Sequence, residues 1–145
     1  MRVSQRVRDG AATLVVAGLI GGAAAAQEPL TEETYGETMT EVRFLVGDSA
    51  QYIDSSYWPE LGEALDTLFP LFQRIETFWT ERGNAGAAAI AADAIAAVQE
   101  IGQAGVAMNQ GQARAGVQTL RATCAACHEA HREPDGDGYQ IKAGS

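Results

Sequence analysis

The sequence predicts an all-α fold, an antiparallel up-down-up-down four-helix bundle, from three observations. Four segments repeat apolar residues every three or four positions, short Gly- and Asn-containing joints separate them, and no stretch alternates apolar with polar residues as a strand does. Helices joined by short turns pack most simply as antiparallel neighbours.

Before the first helix, Arg2, Arg6 and Arg8 make a basic start and residues 11–26 form an apolar run ending in Ala24-Ala25-Ala26. That pattern predicts an export leader over 1–26, cleaved before Gln27. The run falls short of the ~20 residues that span a bilayer comfortably. No later apolar stretch is read as a span, so the expectation is a soluble, exported, periplasmic protein. Residues 27–145 then suffice for one domain with its own core.

The first helix is predicted over Thr31 to Ile53, with Tyr35, Met39, Val42, Val46 and Ile53 along one stripe. Thr31 followed by Glu33 and Thr34 supplies N-terminal capping chemistry. The second is predicted over Tyr57 to Glu81, where Trp58, Leu61, Leu65, Leu68, Phe72, Ile75 and Trp79 alternate three- and four-residue steps. Pro70 is expected to kink or break it. Gly83-Asn84 is a stop signal. The third runs from Ala85 to Met108, dominated by alanine, with Ile90, Ala94, Val98 and Ile101 on one face. The fourth starts near Gly111, carries Val117, Leu120, Cys124 and Cys127 on one face, and ends before Pro134. The turn-rich stretch 134–145 is expected to be a mobile tail.

Charge excludes some functions. The whole chain carries a net charge of −9, and loss of the leader, with its three arginines and one aspartate, makes it −11. An acidic surface argues against nucleic acid and anionic membranes, and it permits steering toward a redox partner with a basic docking face. No paired acids, phosphate loop or nucleophile motif suggests an enzyme.

The two cysteines are the most informative residues. Cys124-Ala125-Ala126-Cys127-His128 is a C-x-x-C-H run with seventeen residues after it, the attachment sequence of a c-type haem. Each thiol can add to one haem vinyl group, and the histidine can ligate iron. On a helix all three side chains emerge on one face. A disulfide is the default for an exported cysteine pair, but the adjacent histidine favours haem. Zinc would need further spaced ligands, and His131 is the only other histidine.

With Arg132 included, the motif reads C-x-x-C-H-x-x-x-R close to the C-terminus, and this resembles the class II c-type cytochromes, the cytochrome c′ and cytochrome c-556 kinds. The resemblance implies a four-helix bundle with one covalent haem near the end of the fourth helix. It also implies a choice of function. The c-556 kind take a methionine from the first helix as sixth iron ligand and carry electrons, whereas cytochromes c′ leave that face open and bind nitric oxide or carbon monoxide. Family members often pair through their first two helices, which implies a possible homodimer. The chain differs from many members in having His131 where an aromatic stands and in extending beyond the usual end.

Two methionines remain after the leader. His128 lies about 18 residues beyond the turn that holds Met108, roughly 27 Å along a helix, so Met108 is at the wrong end of a bundle. Met39, near the start of the first helix, falls close to the level of His128. Position leaves iron ligand and core filler both open for Met39, and the resemblance to low-spin members favours the ligand. Phe78 and Trp79, with Ile75, and the alanines from Ala85 to Ala92 are expected around the haem. Tyr35 is read either as cover on the distal side or as core. Arg132 is read either as a partner of a haem propionate or imidazole, or as a cation offsetting the helix dipole.

Overall fold

A computed structural model describes residues 28–145. The leader over 1–26 and the cleavage point lie outside the described residues. Four helices, α1 (Glu32–Ser55), α2 (Trp58–Glu81), α3 (Ala85–Val106) and α4 (Gln110–His131), are followed by a hairpin of β1 (Arg132–Asp135) and β2 (Gly138–Ile141).

Local chemistry sets each boundary. The Thr31 side chain accepts from the Thr34 backbone N–H while the Thr34 side chain accepts from that of Thr31, a reciprocal capping box at the start of α1. Pro59 occupies the first turn of α2, where a missing N–H costs nothing. Asn84 and Asn109 cap α3 and α4 by accepting from the Ala87 and Gln112 N–H groups at 2.9 and 3.1 Å. Gly83, at φ +74°, supplies the left-handed residue that closes α2. Of the kink or break expected at Pro70, the break does not occur, since α2 continues through it. Pro70 removes one hydrogen bond to the Asp66 carbonyl, but Asp66 is exposed to water, and Leu68, Leu71 and Phe72 hold the flanking turn in the core.

The helices close around one core containing Val42, Val46, Leu61, Leu68, Phe72, Ile75, Trp79, Val98, Ile101 and Leu120. α2 packs on α1 and α3, and α3 on α4, while α1 meets α4 more sparsely. Polar contacts show the relative directions. Arg82 at the end of α2 pairs with Glu32 at the start of α1. At the other end, the Gln110 amide donates to the Ile53 carbonyl at 2.7 Å and Arg114 pairs with Asp54 at 2.7 Å. These join the start of α4 to the end of α1. α3 and α4 approach closely at Gly116, where an added Cβ would lie 2.7 Å from Ile101 Cγ1.

Helix α3 owes its tight packing to alanine. Ala87, Ala91, Ala94, Ala97 and Ala104 are all buried. Contrary to the sequence reading, α3 is long and apolar enough to cross a membrane by length and composition alone, with a mean hydropathy of 1.3. Its buried stripe packs on α2 and α4 as a core helix does.

The stretch read as a turn-rich tail contains an antiparallel hairpin that the sequence did not predict, with Arg132 opposite Ile141 and Asp135 opposite Gly138. Gly136, at φ +56°, is the first of two turn residues, the place where a II′ hairpin turn takes glycine. Ile141 packs on the core, and the Lys142 N–H donates to the His131 carbonyl at 2.8 Å. Four-residue strands of mixed polarity carry no clear alternation, which is why periodicity missed them.

Candidate functional site

The sparse meeting of α1 with α4 leaves a cavity of about 300 Å³. From α4 it is lined by Arg121, Thr123, Cys124, Cys127 and His128, and from α1 by Tyr35, Met39, Val42, Arg43, Val46 and Gly47. Phe72 and Ile75 of α2 and Ile90, Ala91 and Ala94 of α3 form the back wall. The spacing explains the grouping. Residues three or four apart share a helix face, so Tyr35, Met39, Val42 and Val46 project together, as do Arg121, Cys124, Cys127 and His128.

Both cysteines are free and half-buried. Burial pushes each thiol above the ordinary cysteine value. The Arg121 charge opposes the push at Cys124, and the neighbouring Cys124 adds to it at Cys127. At neutral pH both are therefore thiols. Burial, with help from the Arg132 charge, pulls His128 below its ordinary value. Its imidazole is then neutral, with a lone pair to donate. Among the described residues no group of three or more His, Cys, Asp or Glu side chains converges to hold a metal ion. The two thiols and the imidazole line a wall rather than a closed zinc-type cluster.

Tyr35 belongs to the cavity and to the core behind it. Its hydroxyl oxygen accepts from Trp79 Nε1 at 2.9 Å, and its ring lies 4.8 Å from Phe78 and 5.9 Å from Trp79. Burial raises the phenol above its ordinary value, against the opposing effect of the Trp79 hydrogen bond.

The other expected pocket residues sit elsewhere. Phe78 and Trp79 are buried but do not line the cavity. Ile75 is the last cavity-facing residue of α2, and three or four further positions turn them behind Tyr35. Phe78 instead borders a second cavity of about 220 Å³ with Leu30, Pro70 and Arg74. Arg132 lies outside the cavity, with its guanidinium 3.9 Å from the Tyr139 ring centroid. His131 packs on Trp79 with ring centroids 5.2 Å apart, and its Nδ1 is 3.3 Å from Ser145 Oγ. Met108 is 69% exposed at the far turn, where its φ of +51° is left-handed.

Arg43 and Arg121 went unnoticed in the sequence, yet both line the cavity. The signal was present. Arg43 is four residues after Met39 and Arg121 three before Cys124, so each shares a face with a residue already singled out.

No family model, no curated protein and no solved structure matches this chain.

Proposed function

We propose that the protein is an exported, periplasmic mono-haem c-type cytochrome that carries electrons, its iron held by His128 and Met39. The observation that supports this most is the shared cavity. Met39 lines it with Cys124, Cys127 and His128, while Met108 is exposed at the opposite end.

The residues suit the group. Two free thiols three residues apart face an apolar space next to a neutral imidazole. A flat macrocycle needs such walls, and Ala91 and Ala94 leave room where larger side chains would fill it. When bound, haem supplies a one-electron couple at iron, with its potential raised by a thioether ligand. Cys124 and Cys127 would hold the group by adding their S–H bonds across its two vinyl groups, giving two thioether bonds. His128 of α4 would hold the iron by its imidazole lone pair, and Met39 of α1 would offer soft thioether sulfur to it. Val42, Val46, Phe72 and Ile75 exclude water from both. With His128 and Met39 both held as donors by the chain, a haem here would have no place left for a substrate at iron and would serve as a carrier of electrons. The net charge of the mature chain favours a redox partner with a basic face.

Optical spectroscopy of protein matured with covalent haem tests this. A low-spin ferric spectrum with a methionine–iron charge-transfer band is expected, and Met39→Ala should convert it to high spin. An unchanged Met39→Ala spectrum overturns the ligand assignment. A high-spin wild-type spectrum that shifts when carbon monoxide is added to the reduced protein replaces the carrier with a five-coordinate gas binder. Absence of covalent haem leaves a helical domain with a Cys124–Cys127 disulfide.

A further inference from the structure

The charge around the cavity is the reverse of the charge on the protein. The full sequence has nineteen acidic residues against ten basic ones, yet among the described residues no carboxylate lines the cavity, and two arginines do. The back wall from α2 and α3 is wholly apolar. Among the described residues, Tyr35, Cys124, Cys127 and His128 are the only other titratable side chains that face the space.

Arg43 and Arg121 come from the two helices that flank the opening. Both are exposed, and neither forms an ion pair with another described residue, unlike Arg82 and Arg114. The Arg43 guanidinium lies 4.9 Å from the Phe44 ring centroid, and the Arg121 charge is felt at the Cys124 thiol inside. Two unpaired guanidinium groups therefore flank an apolar space within an acidic molecule.

We propose that Arg43 and Arg121 form a two-sided clamp for the carboxylates at the solvent edge of the ligand in this cavity. On the haem reading, on which this rests, those carboxylates are the two propionates, and the arginines are positioning residues. An ionised carboxylate beside apolar walls loses hydration that only a cation or hydrogen-bond donors can replace. The surrounding acidic protein otherwise repels it. Guanidinium is suited to the task because it meets a carboxylate with two parallel hydrogen bonds and is always charged. With the thiols holding the group covalently and the two arginines meeting its carboxylates, the chain would fix the orientation of the group by two independent sets of contacts.

The test is the pH profile of the reduction potential, measured on holoprotein by spectroelectrochemistry between about pH 5 and 9, a window spanning perturbed carboxylate titration. Arg43→Gln, Arg121→Gln, the double variant and Arg114→Gln are compared, with covalent haem quantified separately in each. An opposite charge lowers a carboxylate pKa by about 1–3 units. The carboxylate inflection should therefore move up by about one unit or more in the double variant and part-way in each single one. Arg114→Gln removes an arginine already paired with Asp54 at the far end and should leave the profile alone. The double lysine variant should fall between wild type and the glutamines, because charge remains but the two-pronged geometry is lost. Each single variant removes one exposed side chain and reads the inflection independently of the pair. A double glutamine variant with full haem and the wild-type profile overturns the clamp while the carrier reading stands. Wild-type protein without covalent haem overturns both.

Discussion

Tyr35→Phe isolates one hydroxyl that serves both the cavity wall and the core. The Tyr35 oxygen accepts from Trp79 Nε1 at 2.9 Å, and Trp79 is only 1% exposed. Phenylalanine keeps the ring and its contacts with Phe78 and Trp79, so no large void opens. What it removes is the acceptor, leaving a buried indole N–H without a partner. An orphaned buried donor costs about 1–3 kcal/mol, and the near-complete burial of Trp79 leaves water little access to replace the bond. Trp79→Phe removes the donor but also volume, so it should cost more, up to the ~3–5 kcal/mol range for truncating large aromatics. In the double variant neither partner is orphaned, and the pair should be less destabilising than the sum by about 0.5–3 kcal/mol. Urea unfolding of the four proteins, with matched haem content, measures the cycle. A loss below about 0.5 kcal/mol for Tyr35→Phe, or strict additivity of the two changes, would refute the reasoning.

Other substitutions probe neighbouring parts of the same argument. Gly116→Ala places a methyl carbon 2.7 Å from Ile101 Cγ1 in the α3–α4 contact and should cost about 1–3 kcal/mol of unfolding free energy. A neutral effect would show that the two helices part freely. Met108→Gly relieves a left-handed non-glycine residue and should raise the urea midpoint by up to about 1 kcal/mol equivalent. It should leave the visible spectrum untouched, and a changed spectrum would disprove the exclusion of Met108 as a ligand. The Tyr35 phenol is raised by burial, so its contribution is fully present below the unfolded value of about 10 and is lost as pH rises through the folded one. Stability above pH 10 should therefore fall more steeply in wild type than in Tyr35→Phe. Parallel alkaline slopes would show that the phenol is not buried in solution.

Helix positions were legible because each helix has a buried stripe at its own period. The capping chemistry at Thr31 and the stop at Gly83-Asn84 were legible, whereas the caps that Asn84 and Asn109 supply to α3 and α4 were shown only by the structure. The break expected as one outcome at Pro70 does not occur, because buried neighbours hold the helix through one missing hydrogen bond, which local propensity cannot see. The hairpin after His131 was missed because its strands are short and largely exposed, so no core face imposes alternation. Phe78 and Trp79 were placed at the cavity from their level along α2. Level is only one coordinate, and the rotation of α2 turns them behind Tyr35.

Taken alone, the sequence determined four helices, the face bearing Cys124, Cys127 and His128, and the opposite-end location of Met108. All of these depend on helical period and turn position, which are local. Tertiary structure alone decided that α1 stands off α4 far enough to leave a cavity. It also decided that Met39 and the thiols share that cavity, and that Arg43 and Arg121 flank its opening. Those outcomes depend on how far apart two helices sit and how each is rotated about its axis. Both are set by the summed volume of side chains in between, which no single stretch of the chain contains.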